Sequence, residues 1–237
     1  MSRTTLARIT GLAYLSLVPG GMIGFLMVRA QTEGATAAET FANIAEHATL
    51  VRWGIVGMLS VVLAQALASW AFYAFYRKVA PVSAWAIAGF GLINAALIGA
   101  GAAGSITALY VAENADQFSD AAGLAHLFYL FEGNAWAVGN IFFGLWLIPM
   151  GWAAIKSGYF HAGKVLGWLL MAGGVGYALS SFATLSPQLV DSGVAEALTF
   201  PATVGEFWTM LALLIVGVRR SARTDDPETS AKEAISA

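Results

Sequence analysis

The sequence predicts an all-α fold, a polytopic transmembrane helical bundle with six spans. Three observations support this prediction. Only 11% of the 237 residues are charged, 58% are hydrophobic and the mean hydropathy is +0.70, whereas a soluble domain carries roughly twice that charged fraction. Five long apolar stretches and a sixth, shorter one fill most of the chain, and most Lys and Arg residues fall at alternate ends of these stretches.

Each apolar stretch is long enough to cross a membrane as a helix, since about 20 residues at about 1.5 Å each span the ~30 Å hydrocarbon core. The first stretch, 9–28, is longer than the ~7–15 residues of a signal-peptide core, so we interpret it as the first span. No stretch shows the alternating polarity of barrel strands. The predicted spans are 8–29, 50–76, 83–111, 123–155, 164–184 and 199–218.

The predicted organisation is a six-helix transmembrane domain over residues 1–220, followed by a disordered cytoplasmic tail over residues 221–237. The tail is polar and mixed in charge, a composition that does not bury a core. The loop 31–48 is rich in Ala, Thr and Glu and is predicted to form a surface helix.

The positions of the basic residues orient the chain. With six spans, the N-terminus, the connections 77–82 and 156–163 and the C-terminal tail share one side. Together with Lys164, just after the second connection, they hold ten of the twelve Lys and Arg residues, whereas Arg29 and Arg52 fall on the other side. Basic residues mark the cytoplasmic face. We therefore expect a bacterial inner-membrane protein with both termini in the cytoplasm and acidic outer loops.

Small residues are frequent in the predicted spans. Gly20 and Gly24 form a GxxxG pair, and so do Gly163 and Gly167. Small residues let helix backbones approach closely in lipid, where no hydrophobic force drives helices together. The pairs predict packing within one bundle, with a homodimer or a larger membrane complex as the alternative. Pro19 is expected to kink or loosen the first helix.

Glu206 is the acidic residue predicted to lie deepest in the membrane. It is about 11 residues, or roughly 16 Å, from the cytoplasmic end of the sixth span. No Lys or Arg is predicted at that depth, so we expect a largely protonated carboxyl, because a low dielectric disfavours charge. The carboxyl could carry protons or orient a ligand. Alternatively, it could hydrogen-bond Asn140, Asn94 or Gln65 and lock helices together.

The fourth predicted helix has a polar face. His126, Glu132, Trp136 and Asn140 fall within about 120° of each other on a helical wheel. Glu132 and Arg52 are predicted at a similar depth near the outer boundary. They could form a structural ion pair or the mouth of a pocket.

Several kinds of chemistry find no support in the sequence. Cysteine is absent, all four Lys lie at span ends or in the tail, and the net charge of −2 gives no basic face for nucleic acid. His47 and His126 are the one pair on the same side that could hold a haem, but His47 lies in a loop, so we predict no metal or haem site. No catalytic signature is present, and the sequence assigns no cofactor.

Seven short motifs are spread from the first span to the last. They are 8–15 (RITGLAYL), 50–56 (LVRWGIV), 144–152 (GLWLIPMGW), 156–160 (KSGYF), 167–177, 205–208 (GEFW) and 213–218 (LLIVGV). Together they resemble a bacterial six-helix integral membrane family of unknown function. The resemblance implies six helices and no particular activity, and it includes Glu206. The chain departs from the family pattern at Gly57, where an acidic residue is expected.

The sequence thus favours a membrane protein with a polar cavity in its outer half, built from helices two, four and six. The cavity would bind a small or lipophilic ligand or relay protons. An accessory or scaffold subunit of a larger membrane complex is the alternative, and an intramembrane enzyme is a third class. The predicted ligand-binding residues are Glu206, Asn140, Glu132, Arg52, Trp136 and His126.

Overall fold

The computed structural model describes residues 2–183, 185 and 193–219. These residues form an all-α bundle without strands, and six of their helices are long and apolar enough to cross a membrane, as predicted. The predicted tail at 221–237 lies outside the described residues. The candidate spans are Arg3–Thr32, Ala48–Tyr76, Pro81–Glu113, Ala121–Ser157, Gly163–Ala183 and Glu196–Val216.

The spans and their connections consist of helices of very different lengths. The α-helices are α1 (Arg3–Leu15), α2 (Leu17–Gly21), α3 (Val28–Thr32), α4 (Ala37–Glu46), α5 (Ala48–Tyr76), α6 (Pro81–Glu113), α7 (Ala121–Ser157), α8 (Gly163–Ala183) and α9 (Val194–Leu211). Two π-helical segments, Met22–Met27 and Ala212–Val216, continue α2 and α9. The 37 residues of α7 extend over roughly 55 Å, so α7 must tilt or project beyond a ~30 Å hydrocarbon layer.

Pro19 lies where the first span is interrupted, as the sequence predicts. Helix α1 ends at Leu15, Ser16 forms a turn and α2 begins at Leu17. A proline ring removes one backbone N–H and clashes with the carbonyl group four residues earlier, which here belongs to Leu15. The first span is therefore a series of short helical segments rather than one straight helix.

Helix α4 is the predicted surface helix within the loop 31–48. Its start is capped on both sides: the Thr36 hydroxyl accepts a hydrogen bond from the Glu39 backbone N–H at 3.2 Å, and the Glu39 carboxylate accepts one from the Ala35 N–H at 2.8 Å. This reciprocal arrangement satisfies backbone donors that a helix start leaves open. Thr40 and Ile44 share the buried side of α4.

The chain divides into two compact units. The first unit comprises residues 1–15, 67–91 and 141–237, and the second unit comprises residues 16–66 and 92–140. Helices α5, α6 and α7 each contribute a segment to both units. Among the described residues, the first unit holds seven basic and two acidic side chains, whereas the second holds two basic and seven acidic ones.

Glycines bring two helical segments of the second unit into backbone contact. A Cβ atom at Gly57 of α5 would lie 2.8 Å from the Gly24 nitrogen and 2.9 Å from the Gly20 oxygen. A Cβ atom at Gly24 would in turn lie 2.7 Å from the Met58 nitrogen. The Gly20 and Gly24 pair is thus used for packing within the chain, as expected. The same contact leaves no room for the acidic residue that the family resemblance led us to expect at position 57.

Glycines also join the helices of the first unit. A Cβ atom at Gly174 of α8 would lie 2.6 Å from the Gly144 oxygen of α7, and one at Gly167 would lie 2.5 Å from the Gly151 oxygen. On another side of α8, Gly173 packs directly against Ala202 of α9. Helix α8 therefore meets both of its partners through positions that lack a side chain, which is how helices associate in lipid.

We expect Gly57→Ala to destabilise the protein by about 1–3 kcal/mol, because its new methyl group overlaps the Gly20–Gly24 backbone. The matched control is Gly89→Ala on α6, where a Cβ atom meets nothing within 4 Å. That variant should be neutral or gain up to about 1 kcal/mol of helix propensity. Thermal unfolding of both variants in one detergent, followed by Trp fluorescence, checks this, and equal midpoints would contradict it.

Candidate functional site

A buried ion pair joins the first and fourth spans within the second unit. The Arg29 Nη1 atom donates a hydrogen bond to Glu132 Oε2 at 2.8 Å. The Glu132 side chain is 5% exposed and the Arg29 side chain is 23% exposed. Charged groups inside a transmembrane segment are expensive and usually serve a function, so this pair is the starting point of the candidate site.

Two neighbours on α7 shape the space around the Arg29 guanidinium. At Gly133, a Cβ atom would lie 2.8 Å from Arg29 Nη1, so a side chain there would displace the guanidinium from its present position. The guanidinium carbon lies 4.6 Å from the centre of the Tyr129 ring, a distance suited to a cation–π interaction. The Arg29 guanidinium therefore contacts the Glu132 carboxylate and the face of the Tyr129 ring, and it lies beside Gly133, which has no side chain.

A small cavity of about 20 Å³ borders this ion pair. That volume is enough for about one water molecule. Its polar end contains Arg29, Glu132 and Tyr129, and the Tyr129 hydroxyl has no hydrogen bond of ordinary geometry to any described residue. The remaining wall is largely apolar and includes Gly24, Val28, Ile44, Val51, Met58 and Ala108.

Helix α4 closes one side of the cavity. Ile44, which is 2% exposed, belongs to the same hydrophobic cluster as Val51 and Met58. The Thr40 hydroxyl lies 3.2 Å from His126 Nδ1, and the His126 ring stacks on the Tyr129 ring with centroids 6.3 Å apart. The apolar cluster thus holds α4 against α5, and the Thr40–His126 contact holds it against α7 beside the ion pair.

The predicted pairing of Glu132 with Arg52 is wrong. Glu132 pairs with Arg29, and Arg52 forms an ion pair with Glu113. The side chains of Arg52 and Glu113 are 54% and 37% exposed, so this second pair lies at the surface. The membrane depth predicted from the sequence could not distinguish the two arginines as partners. Arg29 lies near the end of the first span and Arg52 near the start of the second, so both were predicted on the same side of the membrane.

Trp136 and Asn140, the remaining predicted residues on α7, do not line the cavity beside the ion pair. Trp136 packs 3.5 Å from the Cβ position of Gly101 and borders the hydrophobic cluster that contains Tyr129. Asn140 is half-buried. Asn94 is more deeply buried, and its side-chain nitrogen donates a hydrogen bond to the Gly139 carbonyl oxygen at 2.8 Å. Asn94 therefore stabilises the packing of α6 on α7.

Glu206 belongs to the first unit, where its neighbours are phenols. It interacts with the Tyr14 hydroxyl of α1 and lies near Tyr177 of α8. The Tyr14 hydroxyl makes no hydrogen bond of normal length and angle within the described part of the chain, so the two groups are adjacent rather than tightly bonded. No Lys or Arg side chain among the described residues pairs with Glu206.

Aromatic rings surround the Tyr14 side of this carboxyl. Tyr14 is 1% exposed and meets Trp146 and Phe72 edge to face, with ring centroids 5.2 and 5.4 Å apart. Phe143 meets Tyr177 in the same way at 5.0 Å. Such edge-to-face contacts fix ring positions in a packed core. The carboxyl therefore borders a rigid aromatic cluster.

The six predicted site residues do not fall in one unit. Asn140, Glu132, Arg52, Trp136 and His126 belong to the second unit and Glu206 to the first, so the single predicted cavity stays a prediction.

Sequence reasoning missed Arg29 as the partner of Glu132 and missed Tyr129, although Tyr129 lies three residues from both His126 and Glu132 on one helix face. It also missed Tyr14 and Tyr177, whose positions beside Glu206 no sequence spacing reveals. Within the described ranges no three His, Asp or Glu side chains gather as metal ligands.

Comparison with known proteins identifies a family without an assigned activity. The family model described as a domain of unknown function, DUF4386, matches residues 9–217. No curated protein and no solved structure matches the chain. The match includes five of the six candidate spans in full and all of the first span from residue 9 onward.

We expect Arg29→Met alone to cost about 3–5 kcal/mol, because it leaves the buried Glu132 carboxylate without its counterion. Glu132→Gln should cost less than Arg29→Met, because the Arg29 side chain is partly exposed. The double variant should lose less than the sum of the two. The surface pair provides the control, since Glu113→Gln and Arg52→Met should each cost at most about 1 kcal/mol. Unfolding in mixed micelles measures all six proteins, and similar losses for Arg29→Met and Arg52→Met would refute the argument.

Proposed function

Because the chain belongs to the DUF4386 family of unknown function, we propose a role from its site: it binds a small lipophilic ligand beside Arg29 and Glu132. The chain is a membrane-spanning helical protein. Its ligand would carry one polar group that accepts hydrogen bonds and a short apolar body. The observation that carries this proposal is a charged pair that borders a cavity with a polar end and an apolar wall.

The charges and burial of the pair suggest the polarity of the ligand. Glu132 is almost fully enclosed, whereas Arg29 keeps part of its surface open. The Tyr129 hydroxyl also lines the cavity. The Arg29 guanidinium and the Tyr129 hydroxyl can both donate hydrogen bonds, and Arg29 adds positive charge. A carboxylate, hydroxyl or carbonyl group fits this end, while an ammonium group does not.

The apolar wall and helix α4 set the access to the site. Ligand pockets are commonly apolar with a few placed polar groups, which is the composition found here. The present volume of about 20 Å³ is too small for an organic ligand. Binding therefore requires α4 to move, with loss of the His126–Thr40 contact and withdrawal of Ile44.

The charge pattern supports an orientation in a bacterial inner membrane. Among the described residues, the connection 77–80 and the segment 156–164 are basic, whereas the segments 33–46 and 113–120 are acidic. By the positive-inside rule, the basic connections face the cytoplasm. In this orientation α4 lies on the outer side, and the ligand reaches Arg29 from outside or from the outer leaflet.

Three probes that share an alkyl chain test the ligand-binding proposal. In lipid nanodiscs, octanoate and octanol should raise the unfolding midpoint of the protein, and octylamine should not. A shift of a few degrees is expected, since about 1 kcal/mol moves the midpoint of a chain of this size by about 2–4 °C. The measurement is thermal unfolding at several probe concentrations.

Matched variants separate binding from general effects of the probes on the bilayer. Arg29→Gln should remove the response, and Arg52→Gln, at the surface pair, should keep it. Tyr129→Phe provides a milder change, because it removes one hydroxyl and keeps the ring beneath Arg29. Responses that are the same in all four proteins would show that the probes act on the lipid and not on this cavity.

A second candidate function is proton binding at Glu206. The aromatic cluster beside it is closely packed, with Trp146 and Phe72 fully buried, so it leaves no room for an organic cation. A carboxyl without a basic partner in hydrocarbon is more stable when neutral. The exchangeable ligand that fits beside Tyr14 and Tyr177 is therefore a proton.

A lipophilic carbodiimide tests this second candidate, because it reacts with protonated carboxyl groups in apolar surroundings. Dicyclohexylcarbodiimide should modify Glu206 and leave Glu196 unmodified. Glu196 lies on the same helix, is exposed and serves as the control. A water-soluble carbodiimide should show the reverse preference. Peptide mass spectrometry locates the adducts, and modification of Glu206 by the water-soluble reagent alone would exclude a neutral carboxyl in lipid.

A further inference from the structure

A larger crevice of about 240 Å³ lies in the first unit, between the segment 159–161 and the end of the sixth span. Its wall is almost entirely apolar and includes Tyr159, Phe160, Trp208, Leu211 and Ile215. None of these residues takes part in the sites described above. The crevice is about ten times larger than the cavity beside Arg29.

Irregular backbone creates the crevice. The sixth span ends in the π-helical segment Ala212–Val216. At its end, the Gly217 N–H donates a hydrogen bond to the Ala212 carbonyl oxygen at 2.9 Å. Gly217 has a φ of 73°, a left-handed conformation that side chains disfavour. A π-turn is wider than an α-turn, and the chain then leaves the helix axis abruptly. A gap remains beside the segment 159–161.

The position of the crevice on a transmembrane segment determines what surrounds it. Ile215 is 71% exposed and Leu211 is 54% exposed, and both lie on a candidate span. In a bilayer these surfaces face acyl chains rather than water. An apolar gap of this size gains dispersion contacts when a chain fills it. Hydrocarbon is therefore the natural occupant of its apolar part.

Two arginines approach the Tyr159 end of the crevice. The Arg3 guanidinium carbon lies 5.6 Å from the centre of the Tyr159 ring. The Arg219 backbone N–H donates a hydrogen bond to the Tyr159 carbonyl oxygen at 2.9 Å, and the Arg219 side chain is exposed. Arg3 begins the first span and Arg219 follows the sixth, so both lie where lipid head groups are found. Guanidinium groups bind phosphate through paired hydrogen bonds.

We propose that this crevice binds an anionic phospholipid, with one acyl chain against Leu211 and Ile215 and the phosphate at Arg3 and Arg219. Charge complementarity selects the head group, and the apolar wall holds the chain. The site is separate from the cavity beside Arg29 and does not depend on the function proposed for it. The lipid would join the start of the first span to the end of the sixth.

Native mass spectrometry of the full chain, released from micelles with equal amounts of phosphatidylglycerol and phosphatidylcholine, tests the proposal. The protein should retain phosphatidylglycerol preferentially. Retention should fall roughly fivefold for each arginine replaced in Arg3→Gln and Arg219→Gln, from about 1 kcal/mol per basic residue near anionic lipid. The control is Arg77→Gln with Lys78→Gln, a pair of exposed charges on another connection of the same unit.

A second variant and a competitor distinguish the remaining explanations. Ala212→Phe should fill the crevice and reduce retention while both arginines remain. Inorganic phosphate should compete poorly, because it lacks the acyl chain. Equal retention of the two lipids, an equal loss in the control pair, full retention by Ala212→Phe, or complete displacement by phosphate would each overturn the proposal. Thermal unfolding in lipid-free micelles verifies that each variant is folded.

Discussion

Hydrocarbon offers a protein no hydrogen bonds and no counterions, and this constraint governs most of what is found in this chain. Each span must satisfy its backbone internally, so the described residues form helices. Helices gain nothing from hiding apolar surface from lipid, so they associate where glycines allow backbone contact, as at Gly57 and Gly174. A charged side chain buried in a span is stabilised when another group of the protein balances it, as Arg29 balances Glu132.

Two acidic residues away from the span ends, Glu132 and Glu206, respond to this constraint differently. Glu132 is balanced by Arg29, whose guanidinium fits over Tyr129 and into the space left by Gly133. Glu206 has phenols as neighbours and no basic partner among the described residues. The first arrangement holds two opposite charges beside a cavity, and the second holds one carboxyl beside a packed aromatic cluster. The two sites therefore suit different ligands.

The first and sixth spans contain irregular backbone. The first span is broken near Pro19, and the sixth ends in a π-helical segment at Gly217. The irregular part of the first span precedes Arg29 along the chain. The π-helical end of the sixth span lines the crevice beside Tyr159. In both spans a cavity borders the irregular segment or follows it closely along the chain, and basic residues lie next to that cavity.

The sequence by itself determined the six spans, the surface helix in the loop 31–48, the break at Pro19 and the common face of His126 and Glu132. These features depend on local composition and helical spacing, which a chain carries wherever its helices pack. Only the tertiary structure decided that Glu132 pairs with Arg29 rather than with Arg52, and that Tyr14 and Tyr177 lie beside Glu206. Which side chains become neighbours depends on the rotation of each helix about its axis and on its position along the membrane normal. Backbone contacts at glycines between segments that are distant in the sequence determine both of these quantities.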